Sequence, residues 1–276
     1  MKTIKNIVIL ITTLLILQCS KNILLPEFSN LNFRGSLETL DIATWNIEYF
    51  PKDDKTIMYV NDIIDSLNVD IIALQEINDV SSFLNLEMLL DETWEAKLVP
   101  GNSDYGKLAY LINTDAIIID SIYNIPDTTL PCNAFVANIP THVCYNNFPN
   151  GTYNMAYNFA YKMPYVLKFQ YNNQPFVAIN VHFKCCDYRG DEEIRRYEAS
   201  QYLNSFIVEN NYTDDNVIIL GDFNDEISAQ ITIGNNNLYI FEPFLSNEEY
   251  IFADTEISTG PISEWSFPNF PSHIDH

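Results

Sequence analysis

Short apolar runs that end in polar motifs constrain the fold of this chain more than any other feature of its sequence. A continuous apolar run of strand length is typical of a strand that is buried on both faces. The polar residues that follow such runs are therefore predicted to emerge at strand ends. In chain order the motifs are Thr44-Trp45-Asn46-Ile47-Glu48, Leu74-Gln75-Glu76, Asn180-Val181-His182-Phe183-Lys184, Gly221-Asp222-Phe223-Asn224-Asp225 and, last, Ser272-His273-Ile274-Asp275-His276.

The spacing of apolar residues predicts strands that alternate with a few helices. It predicts strands at 40–45, 69–74 and 217–220, and helices at 57–67 and 192–208. Turn residues predict two hairpins, one joining 108–112 to 116–122 and the other joining 165–171 to 175–181. On the second helix, we expect Arg195 and Arg196 to lie on a solvated face.

These elements predict an α/β (α+β) fold with two mixed sheets. Helices between strands favour parallel pairing, whereas hairpins add antiparallel pairs. Helices after residues 56 and 191 would cover the outer faces of the sheets, which gives a four-layer αββα sandwich. Residues 124–160 are rich in Asn, Pro and Tyr, and we expect long loops there. The chain has 276 residues, 47% of them hydrophobic, which suffices for one large domain, placed at 39–276.

The first 18 residues have the pattern of a signal peptide. Lys2 and Lys5 precede an apolar segment that is too short to span a bilayer comfortably. The segment ends just before Cys19, as in a bacterial lipoprotein signal, although Gln18 replaces the small residue usual there. An ordinary secretory signal with a chance cysteine is the alternative. We therefore expect an exported protein, secreted or lipid-anchored through Cys19 in a bacterial envelope, with a polar tether at 19–38.

The chain is strongly acidic, with a formal net charge of −23. Loss of residues 1–18 removes two lysines and no acids, so the charge becomes −25. Such a surface repels nucleic acid and anionic membranes at long range, but bound divalent cations can still dominate the field of a local site. Export permits a disulfide between Cys132 and Cys144. The adjacent Cys185 and Cys186 leave buried thiols, cross-pairing and a strained vicinal disulfide all open.

The side chains of the motifs suit phosphoryl transfer. That reaction needs a cation on the phosphate oxygens, an oriented water and a proton for the leaving group. The hard oxygens of Glu76 and Asp222 suit Mg²⁺, with Mn²⁺ as a substitute. His182 can donate to a phosphate oxygen or titrate near neutral pH. Asn46 and Asn224 can orient ligands without adding charge.

The five motifs, in this order, resemble the successive motifs of the endonuclease/exonuclease/phosphatase superfamily, which has the DNase I-like fold. The resemblance runs from about residue 40 to residue 276. It implies that Glu76 is the principal Mg²⁺ ligand and that Asn46 lies beside the metal. It further implies that His182 contacts the scissile phosphate, that Asp222 orients or deprotonates the attacking water, and that Asn224 holds a phosphate oxygen.

Two further residues take roles from the same resemblance. Tyr161-Lys162-Met163-Pro164 is similar to an Arg-x-Pro stretch of the family, which makes Lys162 a substrate-binding candidate, although Lys lacks the bidentate fork of Arg. The last motif resembles the Arg-Ile-Asp motif that opens a late strand. Asp275 would then orient a catalytic histidine that lies beyond residue 276, so we expect a truncated chain. In the alternative, Asp275 and His276 are themselves the terminal pair.

The resemblance implies an Mg²⁺-dependent phosphoesterase that hydrolyses phosphodiester bonds. We expect an extracytoplasmic nuclease that acts as a monomer on nucleic acid or a small phosphodiester. A phosphatase or phosphodiesterase acting on phospholipids or inositol phosphates is the second reading. A non-catalytic binding protein on the same fold is the third.

Overall fold

The structure, a computed structural model, describes residues 35–36, 38–100, 106–131, 152–185, 190–233, 235–267 and 272–276. The signal peptide, nearly all of the tether, Cys132, Cys144 and Cys186 lie outside these residues, so the expectations for them stay predictions.

The described strands and helices alternate along the chain. The strands are β1 (Ile42–Phe50), β2 (Ile71–Ile77), β3 (Trp94–Leu98), β4 (Lys107–Asn113), β5 (Ile118–Asn124), β6 (Thr129–Pro131), β7 (Thr152–Asn154), β8 (Tyr165–Tyr171), β9 (Gln174–His182), β10 (Asn216–Asp222), β11 (Gln230–Ile233) and β12 (Asn236–Tyr239). The helices are α1 (Thr56–Leu67), α2 (Val80–Leu89), α3 (Met155–Asn158), α4 (Glu192–Glu209), α5 (Glu242–Leu245) and α6 (Thr255–Ser258), with 3₁₀ turns at Tyr212–Asp214 and Ile262–Glu264.

Two four-stranded sheets carry the architecture. In the first, the strand order is β1-β2-β4-β3, and in the second it is β10-β9-β8-β5. Each sheet contains one parallel pair, β1 with β2 and β9 with β10, while its other pairs are antiparallel. Both sheets are therefore mixed, as predicted.

Three clusters of buried side chains define the layers. Between the sheets, Ile71, Tyr110 and Leu167 belong to one cluster. A second cluster joins the outer face of the first sheet to α1 and α2, and a third joins the second sheet to α4. The predicted four-layer αββα sandwich is confirmed. Among the described helices, none combines the length and apolar character that a membrane crossing requires.

The second predicted hairpin is confirmed, because β8 pairs with β9 through Asn172 and Asn173, whose φ values are 50° and 61°. Two successive residues with positive φ suit the twist of a two-residue hairpin turn. The first predicted hairpin is wrong. Strand β4 pairs with β2 and β3, whereas β5 pairs with β8 in the other sheet. Six of the seven β4 residues are buried, so this strand needs a neighbour on each side, while β5 has exposed positions and lies at a sheet edge.

Two further expectations are corrected. The expected loop region 124–160 contains β6, β7 and α3 within its described part, so it is not loop throughout. Arg195 and Arg196 are buried rather than solvated. The Arg195 guanidinium donates to the Tyr157 carbonyl, and Arg196 donates through Nη1 to the Lys184 carbonyl at 2.7 Å. These acceptors replace the water that a solvated face would supply.

Candidate active site

The C-terminal ends of the two parallel strand pairs meet at one edge of the sandwich. In the first sheet Asn46 is the register partner of Gln75, and in the second Asp222 is the partner of His182. Strands β1 and β10 come into contact across the sheets. Parallel neighbours end on the same side, so polar residues that close these strands are brought together.

A bulge turns Glu76 out of the first sheet. Its φ is 65°, and the register of β2 shifts around it against both β1 and β4. A bulge of this kind re-aims a side chain while the strand continues. Gly106 allows the close approach, because a Cβ at that position would lie 2.6 Å from the Glu76 Cα.

Asn46 links the two sheets through its side-chain amide. Its Nδ2 donates to Glu76 Oε1 at 3.2 Å and to Asp222 Oδ2 at 2.8 Å. Its Oδ1 accepts from the Glu48 amide at 2.9 Å, and Glu76 Oε2 accepts from the Tyr49 amide at 3.1 Å. Asn46 therefore presents its NH₂ group to the carboxylates and holds them side by side.

His182 lies against both carboxylates. Its Nε2 is 3.6 Å from Asp222 Oδ2 and 3.8 Å from Glu76 Oε1. Burial, reinforced by the charges of Lys162 and Lys184, holds the His182 pKa well below its ordinary value. The imidazole is thus neutral at pH 7, and among the described residues its buried Nδ1 has no hydrogen-bond partner.

Burial raises the pKa of Asp222 to about 6, while hydrogen bonds from Asn46 and from the Asn224 amide pull it down. The Asn224 N–H donates to Asp222 Oδ1 at 2.9 Å. The Asn224 side chain donates to the Phe183 carbonyl at 3.0 Å. Asn224 therefore lies beside Asp222, with its side-chain amide turned to the loop after β9.

Lys162 brings a cation to the same cluster. The charges of Asp222 and Glu76 raise its pKa, but burial outweighs them and the net shift is downward. Lys184, the last residue of its motif, is also buried and acts on the pKa values of both His182 and Lys162. Lys184 belongs to one of the five motifs, but no role was predicted for it. Its place two residues after His182 was the available signal.

Asp275 reaches the site from the end of the chain. It forms an antiparallel bridge with Asp222, and its buried Oδ1 lacks a hydrogen-bond partner among the described residues. Burial, together with the charge of Asp222, raises the Asp275 pKa to about 8. Both ring nitrogens of His276 face other acceptors, on Asp254 and Asp225, so this arrangement does not pair His276 with Asp275.

A buried amide pair, whose role was not predicted, lies directly behind the site. Gln75 Nε2 donates to Asn180 Oδ1 at 2.8 Å, which joins the two sheets. Asn180 Nδ2 in turn donates to the carbonyls of Leu74, at 3.1 Å, and Ala109, at 3.0 Å. Polar residues inside apolar runs were the signal, because a buried amide needs hydrogen-bond partners inside the protein.

The donor set fits a divalent cation. Glu76 and Asp222 offer hard carboxylate oxygens that both contact the same Asn46 amide. The Glu76 charge contributes to the raised Asp222 pKa, and a cation between the two groups would relieve this repulsion. Mg²⁺ takes few protein ligands and keeps several waters, so one or two carboxylates are enough for it.

Two packed mixed sheets thus bring a polar cluster together at the edge where their parallel strand pairs end. The model of the Endonuclease/Exonuclease/phosphatase family matches residues 43–276. The chain therefore belongs to this family. No curated protein matches the chain in sequence.

The chain is similar to several solved structures at low sequence identity. The human Nocturnin catalytic domain is 13% identical, with a TM-score of 0.51, over 83% of this chain and 76% of that domain. Bacteroides thetaiotaomicron mannosyl-6-phosphatase Bt3783 is 14% identical, with a TM-score of 0.49, over 75% of this chain and 70% of that one. D. rerio TDP2 is 11% identical, with a TM-score of 0.44, over 67% of this chain and 60% of that one. The chain thus spans less than two thirds of this TDP2 chain.

Proposed function

We propose that the protein is an Mg²⁺-dependent phosphoesterase that hydrolyses phosphodiester bonds. One observation carries the proposal: the Asn46 amide joins Glu76 of one sheet to Asp222 of the other, with the His182 ring within 4 Å of both carboxylates. Hydrolysis of a phosphate ester needs a cation ligand, a proton acceptor for water and a donor to the phosphate. The cluster contains all three types of group.

The pKa shifts support the roles proposed for three of these residues. With its pKa raised to about 6, Asp222 is ionised at neutral pH and remains basic enough to take a proton from water. The neutral His182 can donate a hydrogen bond to a phosphate oxygen without adding charge. Lys162 supplies positive charge beside the acids.

Glu76 would hold the cation, with Mn²⁺ as a substitute for Mg²⁺. When bound, the cation would neutralise charge on the phosphate oxygens. Asn46 would keep Glu76 and Asp222 aligned, and Asp275 would support the site from beside Asp222.

Nucleic acid is the favoured substrate class of this proposal, and small phosphate esters are the alternative. The formal charge of −23 is the observation that favours a small substrate, because it repels a polyanion. The signal-like pattern of residues 1–18 supports export, with Cys19 as an acylation site, and we propose a monomeric secreted or lipid-anchored enzyme.

Turnover on DNA, RNA, sphingomyelin and an inositol phosphate, each with Mg²⁺ and with chelator, tests the proposal. We expect Mg²⁺-dependent release of product from at least one substrate class and loss of that activity in Asp222→Asn. Activity that survives both chelator and Asp222→Asn would show that this cluster is not the catalytic centre. Tight substrate binding without turnover would instead support a binding protein.

A further inference from the structure

A second cluster of metal-ligand side chains lies next to the candidate active site and shares no residue with it. Asp254, His273 and His276 each place a ligand atom within 4.8 Å of the other two. The Asp254 Oδ2 atom lies 2.6 Å from His273 Nε2 and 2.6 Å from His276 Nδ1. The three side chains are nearly buried, with exposed fractions of 9%, 1% and 2% respectively.

The contacts of His276 indicate that a positive centre lies between its ring and Asp254. Its Nε2 donates to the Asp225 carbonyl oxygen at 2.9 Å, so this nitrogen carries a proton. In a neutral imidazole the other nitrogen, Nδ1, then carries a lone pair and can only accept a hydrogen bond. It faces the Asp254 carboxylate, which is also an acceptor. Two acceptors at 2.6 Å require a positive centre between them, which is either an additional proton or a metal ion.

We propose that Asp254, His273 and His276 form a binding site for Zn²⁺. Two imidazoles and one carboxylate are a familiar three-ligand set for zinc, with a water in the fourth position. The bond from His276 Nε2 to the Asp225 carbonyl is the outer contact that metal-binding histidines usually make. Nitrogen ligands separate this site chemically from the oxygen-rich pair Glu76 and Asp222, which suits Mg²⁺.

The two contacts of the Asp254 carboxylate need only a small adjustment to accept the ion. Zinc bonds of roughly 2.0–2.2 Å in a tetrahedral arrangement hold neighbouring ligand atoms about 3.0–3.5 Å apart. The carboxylate oxygen would therefore withdraw from each imidazole nitrogen by less than about 1 Å. Asp254 lies just before α6, outside both main sheets, so such a movement leaves the strand pairing intact.

The position of the cluster indicates what the ion would do. His273 and His276 lie on either side of Asp275, in the segment that bonds to Gly221 near the end of β10 and to Phe223 just after it. A bound ion would cross-link this segment to the loop that carries Asp254. It would thereby hold Asp275 in place beside Asp222, and it would be separate from the Mg²⁺ of the proposed reaction.

The test measures zinc in a background that lacks the main site. In Glu76→Gln/His182→Gln, two potential ligands of the main site are gone, while the cluster is intact. After chelator treatment, reloading and desalting, elemental analysis should find one equivalent of Zn²⁺ per chain. Co²⁺ in place of Zn²⁺ should give the visible absorption bands of a four-coordinate ion. Saturating Zn²⁺ should raise the melting temperature by roughly 5 °C or more.

Addition of Asp254→Asn or His273→Gln to this background should abolish the zinc equivalent, the Co²⁺ bands and the thermal shift, while circular dichroism confirms the fold. If these variants do not fold, the test rests on whether Co²⁺ bound to Glu76→Gln/His182→Gln shows the absorption bands of a four-coordinate ion. If Glu76→Gln/His182→Gln retains less than about 0.1 equivalent of Zn²⁺ per chain, a level on the order of adventitious binding, the proposal is overturned. The positive centre between His276 and Asp254 would then be a proton. Zinc that persists in folded Asp254→Asn would overturn it equally.

Discussion

Residues with unusual backbone angles surround the polar cluster. Glu48, Tyr49, Glu76 and Asn224 all have positive φ, between 37° and 65°, although none is a glycine. Each such residue costs on the order of 1–3 kcal/mol and persists only where its surroundings determine it. In return, the Tyr49 amide points at Glu76 and the Asn224 amide at Asp222. These hydrogen bonds therefore hold the carboxylates in fixed positions before any ligand arrives, at a cost in backbone strain.

At the scale of single residues, Glu76→Gln tests the metal assignment. The substitution keeps the size of the side chain and removes its charge, so Mg²⁺ affinity measured by calorimetry should fall at least 10-fold. Turnover should fall on the order of 10²-fold or more. The control is Glu48→Gln, which removes a neighbouring charge from a largely exposed side chain that pairs with Lys52. Equal losses of Mg²⁺ affinity in the two variants would show that Glu76 attracts the cation only through its charge and is not a ligand.

The protonation of Asp222 should appear in the pH profile. Its pKa is raised to about 6 chiefly by burial, and a base is active only when deprotonated. We therefore expect kcat/KM to rise with pH and to level off above about pH 6, or lower if bound Mg²⁺ depresses the pKa further. The residual activity of Asp222→Asn should not show this rise with pH. An unchanged rise in that variant would assign the titration to another group.

At the scale of elements, the amide pair behind the site sets the alignment of the two sheets. Asn180→Ala removes the acceptor of Gln75 and the donor to the carbonyls of Leu74 and Ala109. We expect the free energy of unfolding, measured with urea, to fall by about 2–4 kcal/mol because buried polar groups lose their partners. Gln170→Ala breaks an exposed amide contact with Asp120 and is the control, with an expected cost under about 0.5 kcal/mol. Similar costs for the two variants would count against an inter-sheet role.

Close contact between β9 and β10 explains the glycine before Asp222. Gly221 has a φ of 144°, and a Cβ there would lie 2.0 Å from the Val181 carbonyl oxygen. Gly221→Ala should therefore cost roughly 3 kcal/mol or more, through a clash with backbone as well as strain. Gly190→Ala is the matched control, because its φ is 77° but no atom lies within 4 Å of the added Cβ. Its expected cost is about 1 kcal/mol. Thermal unfolding compares the two, and equal costs would show that φ alone explains both glycines.

At the scale of the whole molecule, net charge separates the two substrate classes. A protein with a formal charge of −23 repels a polyanion, and added salt screens this repulsion. At constant Mg²⁺, kcat/KM for an oligonucleotide should rise between about 20 and 200 mM monovalent salt. A phosphodiester with a single charge, the control substrate, should change much less. A decrease with salt would indicate that lysine–phosphate contacts outweigh the overall charge.

Much of the fold could be predicted from the sequence because burial of a segment shows in the local spacing of its apolar residues. The apolar runs before Glu76 and Asp222 located β2 and β10, and the helical spacing at 57–67 located α1. The local sequence indicates much less clearly which strands pair with each other. The two strands joined by the turn at 113–115 belong to different sheets, which nearest-neighbour reasoning could not detect. Arg195 and Arg196 were misassigned because their acceptors come from distant parts of the chain.

The sequence by itself determined which residue types close the strands and, through five ordered motifs, the family of the protein. Periodicity reports how each segment is buried, since that depends on neighbours along the chain. Only the tertiary structure decided that the Asn46 side chain donates a hydrogen bond to Asp222, 176 residues away. It also brought Asp254 to His273 and His276. These contacts depend on how two sheets pack face to face, and a one-dimensional pattern does not encode that closure.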